Sequence, residues 1–461
     1  MLESVLVWIE KNKHSWLDDL KQWLSFPSVS ADPAHNADVS AAADWAMYYL
    51  RGAGLNSTMI PTARHPCILA VTPDGACPAD APHVLLYGHY DVQPPEPLEK
   101  WISPPFTPTL REKKIFARGA SDDKGQVFCH LAALTAWKQI AHEIPVRLTV
   151  LLEGEEEIGS INLREVISAH AGQLKSARTL IISDSSQFAP GVPAITCGLR
   201  GLVYYQVNLQ GAREDLHSGV YGGAVANPAN ALAQMLGNLH DPRGRVSIPG
   251  FYDDVLEVEP ELRRQWAALP FDEAQFAESL GVEKLYGEYG YTALERRWCR
   301  PTLDISGLTS GYQGPGAKTV LPSTASAKVS MRLVPNQNPQ KIAAAFEEYF
   351  KQLRPPGVKL ELHLLSASPA ALTPIDSPAV AAAAQAVKEG FLADPVFVRE
   401  GGSIPVVTWF KELLGIDSVL LGFGLPDDNL HAPNEKLDLD CFYGGIRTAA
   451  ALYYLLGKRL K

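Results

Sequence analysis

One short stretch constrains this chain more than any other: Leu85-Leu86-Tyr87-Gly88-His89-Tyr90-Asp91-Val92-Gln93-Pro94. Val84 to Tyr87 is an apolar run that reads as a buried strand. It stops at Gly88, where a side chain would crowd the backbone. A histidine and, two residues on, an aspartate follow at once. In extended chain, residues i and i+2 point the same way. His89 and Asp91 are therefore expected together at the carboxyl end of a strand, where open α/β sheets place ligands. Metal-binding histidines commonly give their second ring N–H to a carboxylate. A strand ending in a polar turn is the plainer alternative for this stretch alone.

Other segments repeat the pattern. Ala117-Arg118-Gly119-Ala120-Ser121-Asp122-Asp123-Lys124-Gly125 opens a helix expected over 125–142, and an aspartate there could simply cap free N–H groups. Val146 to Leu152 reads as a strand running into Glu153-Gly154-Glu155-Glu156-Glu157. Such acids repel one another. A solvated face is the common reason for an acid run; directly after a buried strand, a nearby cation is a plausible one. Leu180 to Ser183 reads as a strand ended by Asp184. Further elements are expected as helices over 3–24, 39–52, 377–391, 405–415 and 437–458, with strands over 66–72 and 418–422. The loop Asp427-Asp428-Asn429-Leu430-His431-Ala432-Pro433-Asn434-Glu435 precedes the last helix.

The texture changes near Gly198. Leu202 to Leu209 and Ala325 to Val334 alternate as half-exposed strands do. Residues 228–240 and 339–353 have helical spacing, and 358–365 is strand-like. Strand, helix, strands, helix, strand in one block reads as a small α+β, ferredoxin-like domain inserted into the first. The fold class is therefore α/β. A catalytic domain with a central mixed sheet flanked by helices spans 1–199 and 371–461, and the inserted domain spans 200–370. A chain of 461 residues fits two domains better than one core.

Bulk properties exclude several partners. The formal net charge is −10, which argues against nucleic acid, whose phosphates need a basic surface. No apolar run approaches the roughly 20 residues of a membrane span. Residues 1–13 lack the basic-then-apolar order of a signal peptide. The six cysteines are scattered without a C-x-x-C pair, so reduced thiols in a cytoplasmic protein are expected. The histidines and carboxylates, with no cysteine among them, suit zinc, with manganese or cobalt as alternatives.

The order of these segments resembles the M20 metallopeptidase family, most of all its dipeptidase branch, the cytosolic non-specific dipeptidases and carnosinases. The resemblance is carried by GHYDVQP at 88–94, RGASDDKG at 118–125, EGEEEIGS at 153–160, Ser183-Asp184, DLHSG at 215–219, RPTLDISG at 300–307, KTVLP at 318–322, MRLVPN at 331–336, REGGSIP at 399–405 and DNLHAPNE at 428–435. It implies a two-metal hydrolase of dipeptides or short peptides with a free carboxylate. His89 and Asp184 would hold one ion, Glu157 and His431 the other, and Asp122 would bridge them. Asp91 would orient His89. Glu156 would be the general base acting on a water shared by the metals. It is placed by counting back from Ile158-Gly159-Ser160.

The same resemblance makes the inserted domain a lid and a homodimer interface. His217, reaching across from the partner subunit, would stabilise the oxyanion. Arg332 would grip the substrate carboxylate, with Thr319 assisting across the interface, and Glu400 and Ser403 would line the pocket. A carboxypeptidase, N-acyl-amino-acid hydrolase or desuccinylase of the same family is the alternative activity. A non-catalytic dimeric scaffold is disfavoured, because every ligand position and Glu156 carries a competent residue.

Overall fold

The computed structural model describes residues 1–402 and 404–460. The chain forms two compact units. One comprises Met1–Cys197, Thr373–Val398 and Trp409–Lys461; the other comprises Gly198–Leu372 and Arg399–Thr408.

The first unit is built on a mixed sheet. Its strands lie in the order Asn56–Ile60, Cys67–Val71, Arg147–Glu153, His83–His89, Thr179–Ser186, Ser418–Gly424, Ala194–Leu199. Strand His83–His89 runs parallel to both neighbours, and Thr179–Ser186 runs parallel to Ser418–Gly424. The outer pairings are antiparallel. Four adjacent strands thus point their carboxyl ends at one edge of the sheet.

The alternation along His83–His89 explains its burial at every position. Val84 and Leu86 join the large core beneath helices Leu2–Lys11, Lys13–Leu24, Asn36–Gly52, Lys124–Ala141, Pro378–Phe391 and Leu439–Arg459. On the other face Tyr87 meets Phe410 edge-on, with ring centroids 5.8 Å apart. Each such aliphatic side chain contributes about 1.5–3 kcal/mol by leaving water. Among the described residues, no helix is long and apolar enough to cross a membrane.

Two local expectations need correction. The helix expected over 3–24 is two helices that meet at Asn12, whose amide donates to the Trp8 carbonyl at 2.8 Å. The break is a backbone one: Asn12 leaves the helical region (φ −108°, ψ 18°) while its N–H still donates to the Trp8 and Ile9 carbonyls. Asp184 lies within strand Thr179–Ser186 rather than at its end.

The second unit holds an antiparallel sheet in the order Thr302–Ser310, Thr324–Leu333, Gly201–Gln210, Lys359–Ser368. Alternate residues of these strands, such as Val203, Tyr205, Met331 and Val329, pack with Leu232 and Met235 of helix Pro228–Gly237 and Phe346 and Phe350 of helix Pro339–Gln352. Asn227 caps the first of these helices through the Ala229 N–H, at 2.9 Å. A separate ribbon pairs Leu216–His217 with Val320–Leu321.

Candidate metal centre

The four parallel strand ends deliver the site. His89 is the last residue of its strand. Glu156 and Glu157 follow strand Arg147–Glu153 in a single 3-10 turn, Asp184 comes from the next strand, and His431 from the loop after Ser418–Gly424. Asp122 precedes helix Lys124–Ala141, and its peptide bond to Asp123 is cis. Neither aspartate makes a side-chain cap to that helix. Gly88 is required by close packing: a Cβ there would lie 2.4 Å from Val127 Cγ2 and 3.0 Å from Asp123 Oδ2.

Asp122 stands between two clusters. Its Oδ1 is 3.1 Å from His89 Nε2, and its Oδ2 is 2.9 Å from His431 Nε2. Asp184 Oδ2 lies 3.9 Å from His89 Nε2, and Glu157 Oε2 lies 3.4 Å from His431 Nε2. Donor atoms of His89, Asp122 and Asp184 lie within 4.8 Å of one another, as do those of Asp122, Glu157 and His431. His431 adopts a left-handed backbone (φ 59°), with Asn429 and Asn434 on either side of it in the same region. A bulky residue holds that conformation only when its surroundings enforce it.

The electrostatics suit a divalent cation. Burial, reinforced by Asp122, pushes Glu157 up to about 9, and burial raises Glu156 as well. Burial also works against ionised Asp122, but hydrogen bonds with His431 and His89 outweigh it and hold the group below the ordinary range. His431, bonded to Asp122, is raised to about 9. Crowded, buried carboxylates and imidazoles that borrow protons from one another form a nitrogen and oxygen donor set in need of positive charge.

Asp91 does more than face His89. Its Oδ1 is 3.4 Å from His89 Nδ1 and accepts the Glu156 N–H at 3.2 Å, while Oδ2 accepts the Glu157 N–H at 3.1 Å. The Asp91 backbone carbonyl is 3.1 Å from the same His89 Nδ1, so this one residue holds the imidazole through its main chain and, through its carboxylate, the turn that carries both glutamates. The acid run divides by partner. Glu153 is buried under the hydroxyls of Tyr87 and Ser160 and raised to about 8, first by burial. Glu155 accepts from Thr62, the His65 N–H and Asn162. Glu156 and Glu157 are the pair left beside the histidines.

Sequence reasoning gave Glu435 no role. It is fully buried and accepts from Arg118 at 2.8 Å and from the backbone N–H groups of Gly119, Ser121 and Asp122 at 3.0, 2.9 and 3.0 Å. It ties the loop bearing His431 to the loop bearing Asp122. The available signal was its place four residues after His431 in a polar loop.

The remaining expected residues lie in the second unit. His217 is exposed, accepts the Gly219 N–H at 3.0 Å, and pairs with Val320 on the ribbon. Thr319 is beside it: its carbonyl accepts the Ser218 N–H at 3.1 Å. Arg332 sits on strand Thr324–Leu333, and its like charge disfavours ionised Arg200, whereas Glu400 favours ionised Arg297. Ser403 lies outside the described residues.

Two histidine-and-carboxylate clusters that share one aspartate, on strand ends of a mixed α/β sheet, define the class: a metal-dependent hydrolase. The chain belongs to the peptidase family M20/M25/M40, which it matches over residues 85–454. It is 32% identical to the Cys-Gly metallodipeptidase DUG1 of Candida albicans, with 99% of this chain and 98% of the relative covered. The crystal structure of human carnosine dipeptidase 1 superposes with a TM-score of 0.81 at 28% identity, covering 99% of each chain. The M20 family metallo-carboxypeptidase Sso-CP2 from Sulfolobus solfataricus gives 0.82 at 31% identity, covering 96% of this chain and 99% of that one.

Proposed function

We propose that this chain is a two-metal dipeptidase that cleaves dipeptides or short peptides with a free carboxyl end. The observation that carries the reading is Asp122 set between the His89–Asp184 and His431–Glu157 clusters. Those five residues would hold the ions, zinc first, with manganese or cobalt as alternatives. Bound there, divalent ions lower the pKa of water and polarise a scissile carbonyl.

The chain's own groups do the rest. Glu156, raised by burial, takes a proton from the attacking water and passes it to the leaving nitrogen as the C–N bond breaks. Asp91 keeps Glu156 and His89 in register. Arg332 grips the substrate carboxylate through its guanidinium fork, and Glu400 lines the pocket.

The inserted domain, residues 200–370, acts as a ferredoxin-like lid and homodimer interface in this reading. Its strand order supports the first role. Ile305 and Leu308 on one edge strand, and Leu364 and Leu365 on the other, are exposed, which supports the second. His217 and Thr319, on their exposed ribbon, would serve the partner's site, His217 at the oxyanion. Mixed H217A and H431A subunits should then recover activity that neither has alone; no recovery after verified subunit exchange would refute a shared site. The free thiols of all six cysteines support a reducing, cytoplasmic setting.

The carboxypeptidase relative favours a second reading, in which longer peptides lose one residue. Mass-spectrometric product analysis of the metal-loaded protein on dipeptides, longer peptides and N-acyl amino acids decides between them. Preferential loss of dipeptides is expected. Loss only of longer peptides or of acylated amino acids overturns the dipeptidase reading.

A further inference from the structure

The loop that carries His431 is closed at its neck. The Lys436 N–H donates to the Asp428 carbonyl at 3.0 Å, and the Lys436 ammonium donates to Asp428 Oδ1 at 2.6 Å. The other oxygen, Oδ2, accepts the Leu425 N–H and the Ser121 hydroxyl, both at 2.8 Å. Asp428 is 1% exposed and Lys436 4%. Two charges taken out of water hold a structure together only when they are paired and their remaining positions are filled. Here both conditions are met. Lys436 also donates to Asp427 and Asp438, at 3.0 and 2.8 Å, and both oxygens of Asp428 are occupied.

Each side of the neck is anchored. Lys436 opens strand Lys436–Asp438, which pairs antiparallel with Lys114–Phe116. Asp428 follows strand Ser418–Gly424 and packs against bare backbone: a Cβ on Gly424 would lie 2.5 Å from Ser121 Oγ and 2.9 Å from Asp428 Oδ2. Ser121, the residue before Asp122, engages all its polar groups. Its N–H donates to Glu435, its hydroxyl to Asp428, and its carbonyl accepts Gln126 Nε2 at 3.0 Å. The neck is thereby fastened to the segment that carries the shared aspartate.

The residues inside the loop need such support. Asn429, His431 and Asn434 all have left-handed backbones, which persist only where the surroundings impose them. His431 is exposed, so core packing does not hold it.

We propose that the buried Asp428–Lys436 pair is a clasp that keeps the His431 loop in its ligating shape before any ion arrives. Both are positioning residues, acting on His431 through the loop and on Asp122 through Ser121. The proposal deepens the two-metal reading and rests on it for the identity of the ion site; the clasp itself is made by the chain's own atoms.

The test uses the full chain. Hydrogen exchange of the metal-free protein, read by mass spectrometry, should find residues 425–436 protected in wild type. K436M keeps the side-chain stem and removes the ammonium. It should speed exchange of that segment at least about tenfold and leave strand His83–His89 unchanged. S121A takes one donor from Asp428, keeps the ion pair, and serves as the milder variant if K436M does not fold; exchange of the same segment should rise about three- to tenfold. Titration with Zn²⁺ against a chelating dye should show two ions in wild type. K436M should weaken the step that H431A abolishes by at least about tenfold and leave the other step within about threefold. Rapid exchange of 425–436 in metal-free wild type overturns the clasp. Unchanged affinity in K436M overturns the positioning role and leaves the two-metal reading standing. Protection that K436M abolishes, in a wild-type protein that takes up fewer than two ions, overturns the two-metal reading and leaves the clasp.

Discussion

Glu435 Oε1 accepts the backbone N–H of Asp122 at 3.0 Å, so the residue that stands between the two clusters is held by a carboxylate from the loop that carries His431. The same carboxyl group meets Arg118 and the N–H groups of Gly119 and Ser121. It has no access to water. Replacing it with Gln turns an amide N–H₂ toward those donors and leaves Arg118 buried without its counter-ion. Breaking such a pair costs about 3–5 kcal/mol. E435Q should lower Tm and weaken metal binding by about 10–100-fold. Competition with a chelating dye measures the affinity, and wild-type affinity in E435Q would remove Glu435 from the site's support.

Glu156 and Asp91 should separate when mutated. E156Q keeps every expected ligand, so metal content should stay at the wild-type level while kcat falls by about 10²–10⁴-fold. D91N loses one of the two acceptors of the Glu156 and Glu157 N–H groups and the negative charge 3.4 Å from His89 Nδ1, while the backbone carbonyl that holds that ring stays. It should lose both metal affinity, by about 10–100-fold, and turnover. Metal analysis beside steady-state kinetics reads both, and near-normal turnover of E156Q would refute its role as base.

Gly88 is a matter of space. In G88A the new methyl meets Val127 Cγ2 at 2.4 Å, so the helix or the strand must shift. A destabilisation of about 1–3 kcal/mol is expected, as for other overpacked cores. V127A opens that space, and G88A/V127A should recover part of the loss in thermal melts. A double variant no better than the sum of the singles would show that Val127 is not the neighbour that limits the site, and leave Asp123 Oδ2, 3.0 Å away, as the next one.

His130 sets an acid limit. It is fully buried between the Ser183 hydroxyl, 2.7 Å away, and the Tyr453 hydroxyl, 3.0 Å away, and burial lowers its pKa to about 3. The unfolded chain takes up this proton near pH 6.5, whereas the folded chain resists until about 3. Stability from this group is therefore intact above pH 6.5 and falls as pH drops toward 3, by roughly 3–5 kcal/mol in all. Tm measured from pH 7 to pH 4 should decline less steeply in H130Q than in wild type, whatever the variant's starting level. Parallel slopes would show that other groups govern acid unfolding.

Local rules reached the strand Val84–Tyr87, the glycine that ends it, and the residue types His89, Asp122, Asp184 and His431, because period, sterics and donor chemistry are properties of neighbouring residues. The family resemblance then supplied roles for them. Tertiary structure decided what neighbours cannot encode. Asn12 divides a helix whose apolar spacing runs straight through it, because its backbone leaves the helical region there. Adjacent glutamates look alike in sequence. Glu153 and Glu155 are set apart by partners up to 93 residues away, and Glu156 and Glu157 by the Asp91 carboxylate. Glu435 came to hold the Asp122 backbone only because parallel strands bring segments more than 300 residues apart to one edge of the sheet. The sequence by itself determined the buried strands and the donor chemistry. The order of the strands decided which of those donors converge, because side chains interact through distance in space and not along the chain.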